Sequence, residues 1–278
     1  MDISPLISTE SLAAILNQTN LVFLDASMPP VGGMATPEAS WPDVAIKGAR
    51  RFDLERDFSD HNSGLPHTMI SEQAFQQAAQ ALGINKDSQI VVYDDLGLFS
   101  AARAWWMFKA MGHQQVAVLD GGLPKWLREN RPIARGEQTL SVNGNFQAKA
   151  HLDYFCDVNQ VLAATEDKTK AVLDARAAQR FLGQVAEPRP GLRSGHIPNS
   201  INLPFTQLLA NGQLLTKAEL KEAFSLLVND NQQLIFSCGS GVTACVLALA
   251  ADIAGYHELT VYDGSWAEWG SDAQLPIG

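Results

Sequence analysis

Short apolar runs that end in a polar or acidic residue recur along this chain. Leu21-Val-Phe-Leu-Asp25 leads into Ala26, and Ala171-Val-Leu-Asp174 leads into Ala175. Ile90–Tyr93, Val116–Asp120, Leu234–Ser237 and Thr260–Asp263 have the same look. Continuous apolar runs of this length, without alternation, predict strands buried on both faces of a parallel sheet. Between them lie segments of helical character: Ser71–Leu82, Ser100–Met111, Lys217–Val228 and Thr243–Ala254. Ser71 and Thr216 stand where helix N-caps belong, and Thr216 with Glu219 forms a capping box. Strands alternating with helices predict an α/β fold with right-handed crossovers.

The pattern occurs twice. Residues 91–126 align without a gap on residues 234–269, at a constant offset of 143. The identities include Gly112 with Gly255, Asp120-Gly121 with Asp263-Gly264, and Trp126 with Trp269. These are positions where backbone geometry or a large aromatic matters. Two tandem domains are therefore expected, residues 1–135 and 156–278, joined by a linker over 136–155. The linker is marked by Gly, Asn and Glu in place of periodic apolar residues. A single pseudo-symmetric domain is the alternative.

Composition narrows the class. The 278 residues are 46% hydrophobic and 18% charged, with a net charge of −10. A nucleic-acid binder needs a basic face to displace phosphate counterions, so this balance opposes nucleic acid as a partner. It also opposes an anionic membrane surface. No apolar run reaches the length of a spanning helix, and the N-terminus has neither a basic n-region nor an apolar h-region. Three cysteines make no disulfide framework and fit no zinc spacing. The expectation is a cytoplasmic protein in a reducing compartment.

The chemistry gathers in the second half. Cys238 follows the strand 234–237 directly and opens Cys238-Gly239-Ser240-Gly241-Val242-Thr243-Ala244, after which a helix begins. Sites in open α/β sheets form at the carboxyl ends of strands. Two glycines let this loop curl so that successive N–H groups point inward, and the helix start adds its dipole. A cysteine there is expected to be held as thiolate, the nucleophilic form. Cys245 lies within an all-apolar helix and reads as core, and Cys156 carries no comparable signal. At the repeat offset Cys238 corresponds to Asp95, so the first half keeps the scaffold without the nucleophile.

These residues resemble the tandem-domain rhodanese-type sulfurtransferases. The resemblance rests on Cys238–Ala244, on Ser194-Gly-His-Ile-Pro-Asn-Ser-Ile-Asn202 and on Tyr262-Asp-Gly-Ser-Trp-Ala-Glu-Trp269. Ile46-Lys-Gly-Ala-Arg50 is a degraded partner of the second motif. It implies two α/β rhodanese-like domains, each a parallel sheet flanked by helices, the second one catalytic. Within the family the loop is similar to that of enzymes acting on 3-mercaptopyruvate, because thiosulfate-preferring members place Arg and Lys where this chain has Gly239 and Ser240.

What the resemblance implies is sulfur transfer through a Cys238 persulfide. A small-molecule donor releases pyruvate, and a thiol, a thioredoxin-like protein or cyanide accepts the sulfur, with no metal and no cofactor. Gly239, Ser240, Gly241, Val242 and Thr243 form the binding loop. Arg180 and Arg189 match the pair that holds the donor's carboxylate and ketone, a role suited to guanidinium forks. Ser240 and His67 match members of a Ser-His-acid set. His61 is the rival histidine, and Glu55, Asp57 and Asp60 are open as the acid. Arg176 and His196 read as structural.

Three other readings stand beside this one. A cysteine phosphatase needs an arginine six residues after the cysteine, where this chain has Ala244. A thiosulfate sulfurtransferase wants cations in the loop. A non-catalytic binding module would be expected to lack the cysteine.

Overall fold

A computed structural model describes residues 4–30, 40–136 and 142–278. It contains two five-stranded parallel sheets with the same strand order. In the first, the order is Leu6–Ile7, Val116–Leu119, Gln89–Tyr93, Leu21–Asp25 and Arg50–Arg51. In the second it is Phe155–Cys156, Leu259–Tyr262, Gln233–Ser237, Lys170–Asp174 and Ile201–Asn202. The three central strands of each sheet are the apolar runs of the sequence, buried along most of their length. The two-residue edge strands are too short to register as a pattern.

Helices cover both faces of each sheet. Ser71 and Thr216 cap the helices Glu72–Ala81 and Lys217–Ser225 by accepting the N–H groups of Ala74 and Glu219. The helices Ala101–Ala110 and Ala244–Ala254 are equivalent in the repeat and pack against each other. Each is buried nearly all round, because one face meets its own sheet and the other meets the partner helix. Lys109 and Asp252, equivalent positions, pair across them at 3.5 Å. One apolar core therefore runs through both halves, from Leu24 and Trp105 to Leu249 and Phe236.

Two further contacts repeat across the join. Asp263 accepts the N–H of Met69 at 2.8 Å, and Asp120 accepts the N–H of Leu214 at 2.9 Å. Met69 and Leu214 each lie two residues before a helix cap. Each half thus presents a strand-end aspartate to the other's helix entry.

Residues 137–141 of the expected linker lie outside the described residues. The rest of it runs along the first half: the N–H groups of Gly144, Phe146 and Lys149 donate to the carbonyls of Gln80, Ile84 and Met111. Phe146 is buried in the first half's aromatic cluster, and Phe155 is already part of the second sheet. No helix among the described residues is long and apolar enough to cross a membrane.

Candidate active site

The strand Gln233–Ser237 delivers Cys238 to the carboxyl edge of the second sheet, where the chain turns into the loop before helix Ala244–Ala254. Cys238 is 2% exposed. Its N–H donates to Ser265 Oγ at 3.1 Å, and its carbonyl accepts the N–H of Trp266 at 3.0 Å. The carbonyl of Gly239 accepts from Ala267 at 2.9 Å. The loop is therefore braced on the Ser265–Trp269 turn. Gly241 has φ +74°, and a Cβ there would lie 3.0 Å from both Arg103 Nη1 and the Asp263 carbonyl. Among the described residues, the N–H groups of 239–242 have no protein acceptor.

A cleft of roughly 180 Å³ opens over this loop, lined by Cys238, Ser240, Arg180, Arg189 and, from the first half, His67 and Phe99. Ser240 Oγ lies 2.9 Å from His67 Nδ1 and 3.3 Å from Arg189 Nη2. His67 Nε2 lies 3.5 Å from Glu55 Oε1. These partners assign the tautomer: Nε2–H donates to Glu55, and Nδ1 accepts from the Ser240 hydroxyl. Burial lowers the pKa of His67, and the charges of Arg103 and Arg189 act the same way against the Glu55 hydrogen bond. The imidazole is thus neutral at neutral pH.

Of the three acids left open by the sequence, Glu55 is the one that reaches His67. Asp57 pairs with Arg56, and Asp60 accepts the N–H of Asn62. The rival His61 is exposed and bonds the Arg56 carbonyl. His196 stacks on Phe181 at 3.9 Å and bonds its carbonyl. Cys156 and Cys245 are buried, and burial pushes each thiol up to about 12. That leaves Cys238 as the thiol facing the cleft.

The arginines come from the short helix Ala178–Phe181 and the loop after it. Arg189 is half-buried and, among the described residues, has no carboxylate partner within ion-pair distance. Arg180 engages Glu187 through Nε at 3.2 Å and Nη2 at 2.5 Å. Arg176 bridges Asp174 and Glu187 and stacks 4.3 Å over Trp266. A Cβ added at Gly239 would lie 3.3 Å from Arg180 Nη2 and 3.6 Å from Arg189 Nη1. A Cβ at 239 would therefore crowd Arg180 and only touch Arg189.

Three residues at the site escape sequence reasoning. Arg103, fully buried on the first half's central helix, donates to the carbonyls of His67 and Gly241 and pairs with Asp263 at 2.6 Å. Its signal was a lone charge in Ala-Ala-Arg103-Ala-Trp-Trp. Asp263 stood out as a repeat identity but not as a contact between halves. Glu187 sits between the two arginines in sequence, where nothing local marks it as their partner.

The rhodanese-like domain model matches residues 8–129 and 157–272. The chain belongs to the rhodanese family. A relative from Escherichia coli strain K12 named 3-mercaptopyruvate sulfurtransferase is 39% identical, covering 98% of this chain and 96% of that one. An Arabidopsis thaliana relative named thiosulfate/3-mercaptopyruvate sulfurtransferase 1, mitochondrial, is 38% identical, covering 98% and 78%. The crystal structure of SseA from Escherichia coli, described as a 3-mercaptopyruvate sulfurtransferase of the rhodanese fold, superposes with a TM-score of 0.84. It is 36% identical and covers 95% of this chain and 99% of its own. Both rhodanese domains of this chain are therefore present in full-length relatives.

Proposed function

We propose that this chain is a 3-mercaptopyruvate sulfurtransferase, with the second rhodanese domain (156–278) catalytic and the first (1–135) supplying His67 and one wall of the cleft. The observation that carries the reading is the Ser240 hydroxyl, held between neutral His67 and cationic Arg189 beside the Cys238 loop. This arrangement suits an oxygen that gains charge during the reaction.

The Cys238 thiolate attacks the donor's sulfur, and a sulfur–sulfur bond forms as the carbon–sulfur bond breaks. The released electron pair moves into the adjacent ketone and gives the enolate of pyruvate. Ser240 turns its hydroxyl from His67 Nδ1 to that enolate oxygen, which Arg189 also stabilises, while Arg180 and Arg189 hold the carboxylate. The proton of the donor thiol ends on the enolate carbon, leaving pyruvate and an anionic Cys238 persulfide. The free N–H groups of the loop suit that anion. An acceptor thiolate or cyanide then takes the outer sulfur and restores Cys238. Splitting the transfer in this way replaces one difficult step with two easier ones. A thioredoxin-like protein fits the role of acceptor, and three buried free thiols fit a reducing, cytoplasmic setting.

Thiosulfate as a further donor is the second reading, supported by the two arginines at the loop and by the name of the Arabidopsis relative. The test compares pyruvate and sulfite release from the two donors with one acceptor. A higher specificity constant for mercaptopyruvate is expected, and a higher one for thiosulfate would overturn the proposal.

A further inference from the structure

Glu187 is buried behind Arg176 and Arg180, which line the anion-binding cleft, with its side chain 1% exposed. Its Oε1 accepts from Arg176 Nη1 at 2.9 Å and from Arg180 Nε at 3.2 Å, and its Oε2 accepts from Arg180 Nη2 at 2.5 Å. Asp174 takes the remaining edge of Arg176. Arg176, Arg180 and Arg189 with Asp174 and Glu187 give this wall one net positive charge; Glu55, on the His67 side, is 63% exposed and screened by solvent. A cleft selected only to attract anions would gain nothing from a buried carboxylate, which is costly to desolvate and repels the ligand.

We infer that Glu187 is a specificity-determining residue that matches the cleft to a donor with a single negative charge and disfavours dianions. The inference rests on the proposed mercaptopyruvate reaction. A dianion meets the charge of Glu187 with twice the force that a monoanion does, so the carboxylate acts on the difference between donors. In a partly buried site with an effective dielectric near 20, one unit charge at this range alters that difference by roughly five- to thirtyfold. Gly239 acts in the same direction by leaving the loop without a side-chain cation.

The test is steady-state kinetics of Glu187→Gln and Glu187→Asp with 3-mercaptopyruvate and thiosulfate, using cyanide as acceptor. Glu187→Gln is expected to raise the ratio of specificity constants, thiosulfate over mercaptopyruvate, by roughly five- to thirtyfold, less at high salt. Glu187→Asp keeps the charge with a shorter reach, and should leave the ratio within about twofold while both constants fall. If the Gln variant does not fold, Glu187→Met removes the same charge without placing an amide donor against the arginines, and the same shift is expected. An unchanged or lowered ratio in the neutral variant that folds would show that Glu187 only props the arginines, and would overturn the inference. Failure of the underlying reaction is seen separately, in the native enzyme, as a preference for thiosulfate.

Discussion

Residues 94–100 and 237–243, aligned at the repeat offset of 143, join equivalent strands to equivalent helices. They differ in what occupies the space they enclose. In the first, the carboxylate of Asp94, fully buried, accepts the N–H groups of Leu96, Phe99, Ser100 and Ala101 at 2.8–3.0 Å. The chain fills its own anion site. In the second, Ser237 stands at the position of Asp94, and among the described residues its buried Oγ has no hydrogen-bond partner. The loop N–H groups keep their capacity for an outside anion, and Cys238 replaces Asp95 at the mouth. A scaffold that binds a charge is thus structural or catalytic according to whether the charge is built in or brought by substrate. The first half also completes the cleft of the second, since its helix sends Arg103 and its loop sends His67 across the join.

The largest expected effect comes from removing what distinguishes the second loop. Cys238→Ser should abolish transfer, whereas Cys156→Ser and Cys245→Ser should retain most of it. Mass spectrometry after donor alone should place one added sulfur on the Cys238 peptide, and sulfur only on another cysteine would refute the comparison. Next, Ser237→Asp should make the second loop resemble the first. Its carboxylate would take the N–H groups assigned to the proposed persulfide, with an expected loss of about 100-fold or more in turnover and a retained fold. Circular dichroism with single-turnover kinetics checks both parts, and a fully active variant would show that those groups are not required.

Arg189→Ala should raise KM for mercaptopyruvate by about 10–150-fold, the loss of a charged hydrogen bond of roughly 1.5–3 kcal/mol. Arg180→Ala should cost less, because two of its donors already serve Glu187. Equal KM values in native and both variants would mean that neither arginine touches the donor. On the structural side, Asp94→Ser should take the acceptor from four N–H groups and lower stability by about 1–3 kcal/mol for each one that neither Ser Oγ nor water satisfies, with little change in the chemistry at Cys238. Denaturant unfolding at pH 7.5 and steady-state assays separate the two.

The smallest effect is with pH. Burial lowers the pKa of His67 below its ordinary 6.5, so the folded protein holds the ring neutral. Between that lowered value and 6.5 the unfolded chain binds more protons, so stability falls as pH falls through this window. The contribution is fully present above 6.5. His113, also buried with a lowered pKa, adds in the same sense. Turnover should likewise hold down to about pH 6.5 and decline only below it, as the ring loses the lone pair that accepts from Ser240. Comparing unfolding at several pH values in native protein and His67→Asn isolates the term; identical slopes would show that His67 does not titrate differently on folding.

What the sequence determined by itself is local. Apolar runs too continuous for a one-sided sheet required parallel strands covered on both faces, and Ser71 and Thr216 marked where helices start. A cysteine between a strand and a helix, followed by two glycines, defined the loop without reference to the rest of the chain. The two-residue edge strands were not legible, since two residues carry no period. Tertiary structure alone decided which groups meet at the loop. His67 reaches Ser240 across 173 residues, and Glu55 instead of Asp57 or Asp60 reaches His67. Arg103 crosses to Gly241, and Glu187 folds back on two arginines. Periodicity records which face of an element is buried, not what it is buried against. Here the packing of helix Ala101–Ala110 on Ala244–Ala254 sets the distances between the halves, and the chemistry of the cleft depends on those distances.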